Sequence, residues 1–188
     1  EEYDRVSERV AGRAEMVEVL SRERETLLER ITHFEALKLE SFMTTFNAIN
    51  ENFSRIFATL TSGSGRLVLE CEDDPFEGGL TFAVQPADKA VHLLNALSGG
   101  EKSLTTLAFI FSIQQYMPAP FYAFDEVDMS LDGSNVERIA SMVREIATES
   151  QFVIVSLRKP MIESADRVVG VTVRPDKSTL VTGVRTGD

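Results

Sequence analysis

Between residues 3 and 34, apolar side chains recur at alternating spacings of three and four: Tyr3, Val6, Val10, Val17, Leu20, Leu27, Ile31 and Phe34, with Arg13 and Arg24 in the two gaps. This is a heptad seam. Nearly every other position is charged or small, so only a narrow stripe is available for burial and the partner it predicts is another helix. A helix lying on its own globular domain would carry a wider apolar face. The two arginines weaken the seam, and their long stems can snorkel outward. The frame slips by one residue between Phe34 and Phe42, after which Phe42, Phe46, Ile49, Phe53, Ile56 and Leu60 resume the spacing with bulkier side chains, which predicts docking on a globular core. Thr61-Ser62-Gly63-Ser64-Gly65 then predicts a helix stop, with a glycine in the left-handed conformation.

Beyond this stop the period changes. Two segments with partial alternation, 66–71 and 80–84, predict strands separated by the acidic turn Glu72-Asp73-Asp74-Pro75 and by Glu77-Gly78-Gly79. Residues 102–116 predict a helix, stopped by Met117-Pro118-Ala119-Pro120 because proline cannot continue the hydrogen-bond ladder. The continuous apolar run 121–124 predicts a strand buried on both faces of a parallel sheet. A helix at 135–148 and a strand at 151–157 follow, and strand, helix, strand at this spacing predicts a right-handed crossover in a doubly wound sheet. A helical turn at 161–165 and a hairpin of 167–173 with 180–184 across Pro175-Asp176-Lys177 complete the chain. The fold class is therefore α/β, a mostly parallel sheet with flanking helices behind a long coiled-coil helix, divided into residues 1–60 and 61–188.

Composition narrows the function classes. The 188 residues carry a formal net charge of −11, which argues against a chain whose whole surface grips nucleic acid through its phosphates. With one cysteine, Cys71, there is no internal disulfide or all-cysteine metal site, and two histidines, His33 and His92, make no histidine cluster. Both histidines are expected to be structural. No apolar run reaches membrane-spanning length, and the expected compartment is the cytosol. The chain starts within a helical pattern and without methionine, so it is expected to be a piece of something longer.

Candidate chemistry sits in two stretches. Phe121-Tyr122-Ala123-Phe124-Asp125-Glu126 is an apolar strand ending in two acids, and ligands of open parallel sheets bind beyond the carboxyl ends of their strands. In phosphoryl transfer such an acid helps hold magnesium, while a neighbouring one positions the attacking water. Alone, the pair reads equally well as two surface acids. Leu97-Ser98-Gly99-Gly100-Glu101-Lys102 is a glycine turn opening a helix, where unpaired N–H groups and the helix dipole favour an anion. It also has the spacing of a capping box, Ser98 with Glu101. The sequence contains no G-x-x-x-x-G-K-[S/T], so the loop that would cradle a nucleotide's phosphates is not encoded.

Taken together, LSGGEK, the helix, FYAFDEVD and the turn Ser130-Leu131-Asp132-Gly133 resemble the ATP-binding cassette superfamily. Asp74-Pro75-Phe76-Glu77-Gly78-Gly79-Leu80, Glu101-Lys102-Ser103-Leu104, Pro118-Ala119-Pro120-Phe121-Tyr122 and Asp125-Glu126-Val127-Asp128 narrow the resemblance to the SMC family. These are the coiled-coil ATPases of chromosome organisation, and the likeness is to the C-terminal half of their head. It covers essentially the whole chain. A transporter cassette would carry glutamine and arginine after the two glycines and would lack the leading coiled coil.

The resemblance implies that Ser98, Gly99 and Gly100 contact the γ-phosphate of ATP bound to the opposite head, and that Asp132 crosses the same dimer interface. It implies that Asp125 holds Mg2+ through water and that Glu126 is the general base. Where the superfamily commonly has a switch histidine, this chain has Leu157, which cannot hydrogen-bond a phosphate. The implied partners are the N-terminal lobe of the same head, a second SMC head, a kleisin subunit on residues 36–57 and 167–184, and DNA through the assembled complex. No membrane is implied, and the expected location is cytoplasmic, on the nucleoid in a prokaryote. By itself the chain is expected not to hydrolyse ATP. Alternatives are the head lobe of a coiled-coil DNA-repair ATPase and a non-catalytic coiled-coil scaffold.

Overall fold

The structure is a computed structural model that describes residues 1–86, 92–93 and 96–185. In chain order its elements are α1 (Glu2–Thr61), β1 (Ser64–Leu69), β2 (Leu80–Gln85), β3 (His92–Leu93), α2 (Gly99–Tyr116), β4 (Phe121–Asp125), α3 (Gly133–Ile146), β5 (Gln151–Val155), α4 (Lys159–Ser164), β6 (Arg167–Val173) and β7 (Thr179–Arg185). Two compact units divide the chain, Glu1–Phe46 and Asn47–Asp188. The first is helix alone. Its seam residues Tyr3, Val6, Val10, Val17, Leu20, Leu27, Ile31 and Phe34 are all exposed, and Arg22 pairs with Glu18 one turn back. Such a stripe gains stability only from a partner helix, because an isolated helix of this composition buries nothing.

In the second unit, the last turns of α1 become core. Phe53, Ile56, Phe57 and Leu60 are buried, and the rings of Phe57 and Phe53 lie 5.6 Å apart. Phe53 continues to Phe82 of β2 at 5.5 Å, and Phe82 meets Phe109 of α2 edge-on at 5.3 Å. Polar clips fix the first strand against the helix: Asn50 Oδ1 accepts from the Leu67 N–H at 2.7 Å, and Ser54 Oγ donates to the Gly65 carbonyl at 2.7 Å. A side chain at Gly65 would put its Cβ 2.9 Å from Phe57 and 3.0 Å from Val84, so only glycine permits this approach.

The helix stop includes a residue that is not glycine in the left-handed region. Ser62 is left-handed, at φ 56°. Thr61 Oγ1, bonded to the Phe57 carbonyl at 2.7 Å, also accepts from the Gly63 N–H at 3.2 Å, so a side chain helps to hold the turn. β1 and β2 pair antiparallel with Leu69 opposite Leu80, and β3 pairs with β2. The side chain of His92 lies outside the described residues.

β4 and β5 are parallel, Phe121 opposite Gln151 through Asp125 opposite Val155. Here the structure corrects the sequence. The strands are covered on one face only, where Phe111 of α2 packs edge-on against Phe124 at 6.0 Å and Tyr122 stacks on Phe152 at 5.3 Å. The alternate positions are bare, with Phe121 62%, Val153 53% and Val155 55% exposed. Period-2 alternation sends every second side chain to the other face, and within the described residues nothing covers that face. β6 and β7 form the expected antiparallel hairpin, with Lys177 left-handed at φ 67° in its turn.

Candidate functional site

β4 ends at Asp125, and the chain turns at once. Glu126 takes φ 49°, a conformation that costs a non-glycine residue about 1–3 kcal/mol. Its N–H donates to the Val155 carbonyl at 2.9 Å, so the neighbouring strand holds the turn in place. Both carboxylates are exposed at the carboxyl end of the parallel pair. Behind them Asp128 is buried at 2% exposure and accepts from Ser156 Oγ on the segment after β5. Ser156 Oγ in turn accepts from the Arg158 N–H at 3.0 Å, while Arg158 Nη2 donates to the Leu131 carbonyl at 2.8 Å. The acid-bearing turn, the post-β5 segment and the Leu131–Asp132 segment are thus tied by one set of half-buried bonds.

The glycine turn is built as a helix start. Ser98 caps α2: its Oγ accepts from the Glu101 N–H at 3.5 Å, and its own N–H donates to Glu101 Oε2 at 2.9 Å. The hydroxyl also donates to that carboxylate at 2.8 Å, so the Ser98 proton is committed within the box. A side chain at Gly99 would meet nothing within 4 Å, whereas at Gly100 it would lie 3.1 Å from the Ser130 carbonyl. Ser103 Oγ, one turn into α2, bonds Ser130 Oγ at 2.7 Å. The structure therefore brings the first turn of α2 against the segment just after Asp125-Glu126. Sequence reading did not find this contact, because Ser103 and Ser130 carry no motif signal of their own.

Asp132 caps α3. Its Oδ1 accepts from the Asn135 N–H at 2.9 Å and from Ser134 Oγ at 2.8 Å, and Oδ2 accepts from Asn135 Nδ2 at 2.9 Å. The Asn135 backbone bond, then the Ser134 side-chain bond, hold its carboxyl below the ordinary value of 3.8. A carboxyl lowered on folding stabilises the fold above its unfolded value, and that stabilisation disappears as pH falls through the lower folded value. Asp132→Ala is therefore expected to cost about 1 kcal/mol near neutral pH. Urea titrations of wild type and variant should show the gap narrowing below pH 3.8.

Leu157 is 90% exposed beside this cluster. Among the described residues no group of three or more His, Cys, Asp and Glu could hold a metal. Asp125 and Glu126 nevertheless suit magnesium that arrives with a nucleotide, since that ion keeps waters and phosphate oxygens and takes one or two carboxylates. No helix of the described residues is long and apolar enough to cross a membrane.

The sequence matches the family described as RecF/RecN/SMC N terminal domain over residues 9–179. It is 54% identical over 185 residues to the chromosome partition protein Smc of Gloeobacter violaceus, covering 98% of this chain and 16% of that protein. The chain thus spans about a sixth of the length of that relative. The fold matches a crystal structure of the Smc head domain with an extended coiled coil, bound to the C-terminal domain of ScpA, from Pyrococcus furiosus. That match has a TM-score of 0.85 at 48% identity and covers 89% of this chain and 42% of that one. A structure from work on ATP-driven dimerisation and DNA-stimulated activation of SMC ATPases matches with TM-score 0.72 at 48% identity, covering 78% of this chain and 89% of that one. The mixed α/β architecture is that of an SMC head, and the chain belongs to the SMC family.

Proposed function

We propose that this chain is the C-terminal half of an SMC ATPase head, residues 61–188, carrying the base of the returning coiled-coil arm in residues 1–60. The observation that carries the reading is the contact of α2 with Ser130. It joins the glycine turn to the acid-bearing turn, although the sequence lacks the phosphate loop both would need to form one pocket. Two motifs on one surface with no cradle between them suit a site completed by other lobes. Asp125-Glu126 serves ATP held by this head's N-terminal lobe, while Ser98, Gly99, Gly100 and Asp132 face ATP held by a second head.

When bound, Mg2+ neutralises charge on the phosphate oxygens. Asp125 would be the residue that holds it. Glu126, carried forward by its left-handed backbone, accepts a proton from the attacking water. Ser98 releases its hydroxyl from Glu101 to meet the γ-phosphate, with the N–H groups at the start of α2 adding their dipole. Asp132 keeps α3 capped while its loop crosses to the partner head. Hydrolysis then removes the contact that holds the heads together, turning a local phosphate event into rearrangement of the arms.

The bare face of β4 and β5 is the surface on which the N-terminal lobe packs, and the exposed seam of α1 pairs with the outgoing arm. Val169, Val171, Val173 and Val181 of the β6–β7 hairpin are exposed, as a kleisin docking face requires, and residues 36–57 supply the second kleisin contact. DNA binds the assembled heads, on the chromosome in the cytoplasm. The test is reconstitution. This chain alone should show no ATPase activity, and adding the phosphate-loop lobe should restore it. Appreciable turnover by the isolated chain would overturn the divided-site reading.

A further inference from the structure

The chain leaving β5 meets the acid-bearing turn at two successive residues. The Val155 carbonyl accepts from the Glu126 N–H at 2.9 Å, and the next residue, Ser156, donates its hydroxyl to the Asp128 carboxylate. Ser156 Oγ also accepts from the Arg158 N–H at 3.0 Å. That second bond takes a lone pair of the hydroxyl, so its proton is turned to Asp128.

Two features of this turn are costly to the fold. Asp128 is 2% exposed and forms no ion pair among the described residues, and burying a carboxyl costs free energy that an apolar residue there would avoid. Glu126 stands at φ 49°, a strained backbone that persists only where its surroundings over-determine it. Its N–H is tied to β5, and its carbonyl accepts from the Met129 N–H at 3.2 Å, closing a turn that contains Asp128. Glu126 is therefore gripped on both sides, once by strand backbone and once through the turn that Ser156 anchors. Among the described residues no hydrogen bond or ion pair holds its exposed carboxylate, so the backbone alone sets where that group points.

We propose that Ser156 is a positioning residue for hydrolysis: through Asp128 it fixes the turn whose backbone aims the Glu126 carboxylate. This role rests on Glu126 being the base of the proposed function. Without the serine hydroxyl, Asp128 loses a donor and the turn slackens. Glu126 then relaxes toward negative φ, and its carboxylate swings away from the attacking water. A misplacement of about 1 Å at a reacting group costs about a hundredfold in rate, even when the substitution lies outside the chemistry. Because Ser156 acts through the turn and not on the nucleotide, the loss falls on kcat and spares both KM for ATP and the ATP-held dimer.

The experiment measures steady-state ATP hydrolysis and ATP-dependent dimerisation of the head completed by its phosphate-loop lobe, with Ser156→Ala, Ser156→Thr, Glu126→Gln and the combination of Ser156→Ala with Glu126→Gln. Ser156→Ala should lower kcat about ten- to a hundredfold, with KM and dimer unchanged. Ser156→Thr keeps the hydroxyl and should recover most of the rate. In the Glu126→Gln background, Ser156→Ala should slow the residual turnover no further, because residues that act as a unit are not additive. A serine that only supported the fold would slow both backgrounds by the same factor. Wild-type kcat in Ser156→Ala, the same loss in both backgrounds, a threonine variant as slow as the alanine one, or loss of the dimer in Ser156→Ala would overturn the proposal. Wild-type turnover in Glu126→Gln would remove the base and the role of Ser156 together, whereas a slow Glu126→Gln beside a normal Ser156→Ala would remove only the latter.

Discussion

A complete head carrying Glu126→Gln is expected to hydrolyse ATP about 10²–10⁴-fold more slowly than the wild type while still forming ATP-bound dimers. The substitution keeps the size of the side chain and its place at the end of β4, and removes only the ability to accept a proton. The contacts proposed for Ser98, Gly99 and Gly100 are untouched, so ATP should hold the heads together and they should fail to part. Steady-state phosphate release together with size-exclusion chromatography in ATP separates the two effects. Equal turnover by wild type and variant would remove Glu126 from the role of base. Loss of both turnover and dimer would mean that the carboxylate acts in assembly instead.

Phe53→Ala should cost about 3–5 kcal/mol, a large part of the 5–15 kcal/mol that usually separates a folded domain from its unfolded chain. Phe53 is fully buried, and its ring touches those of Phe57 and Phe82 while it walls the space kept open by Gly65. Truncation leaves a hole where three elements meet, and the bond from the Leu67 N–H to Asn50 Oδ1 keeps α1 and β1 from collapsing into it. Phe121, equally apolar but 62% exposed, should lose little stability when truncated in the isolated chain. Denaturant titration of the two variants makes the comparison directly, and similar losses would contradict the core described here.

Much of this architecture was legible from spacing. The three- and four-residue period from Tyr3 to Leu60 is a helix with seam residues exposed at one end and core residues at the other. The S-x-x-E spacing of Ser98 and Glu101 is the capping box it suggested. What failed has physical reasons. An apolar run such as 121–124 reports how much a strand must bury in its finished setting, and says nothing of which chain segment does the covering. Hence both faces of β4 read as buried when one is bare. The left-handed turn at Ser62 is held by bonds of the Thr61 hydroxyl, which no apolar period marks. The bonds from Ser156 to Asp128 and from Arg158 to Leu131 connect residues nearly thirty positions apart, and no period or motif marks such pairs. For the candidate site, the acids and the glycine turn could be named from their motifs, whereas the serine pair that brings them together could not.

The left-handed backbone at Glu126 has a consequence for anyone redesigning this head. A procedure that ranked substitutions by folding free energy alone would favour glycine there, since glycine takes φ 49° without the cost a glutamate bears. With Glu126 in its proposed role, the thermally hardier chain that resulted would have traded away a proton acceptor, and optimising durability at position 126 would select directly against turnover.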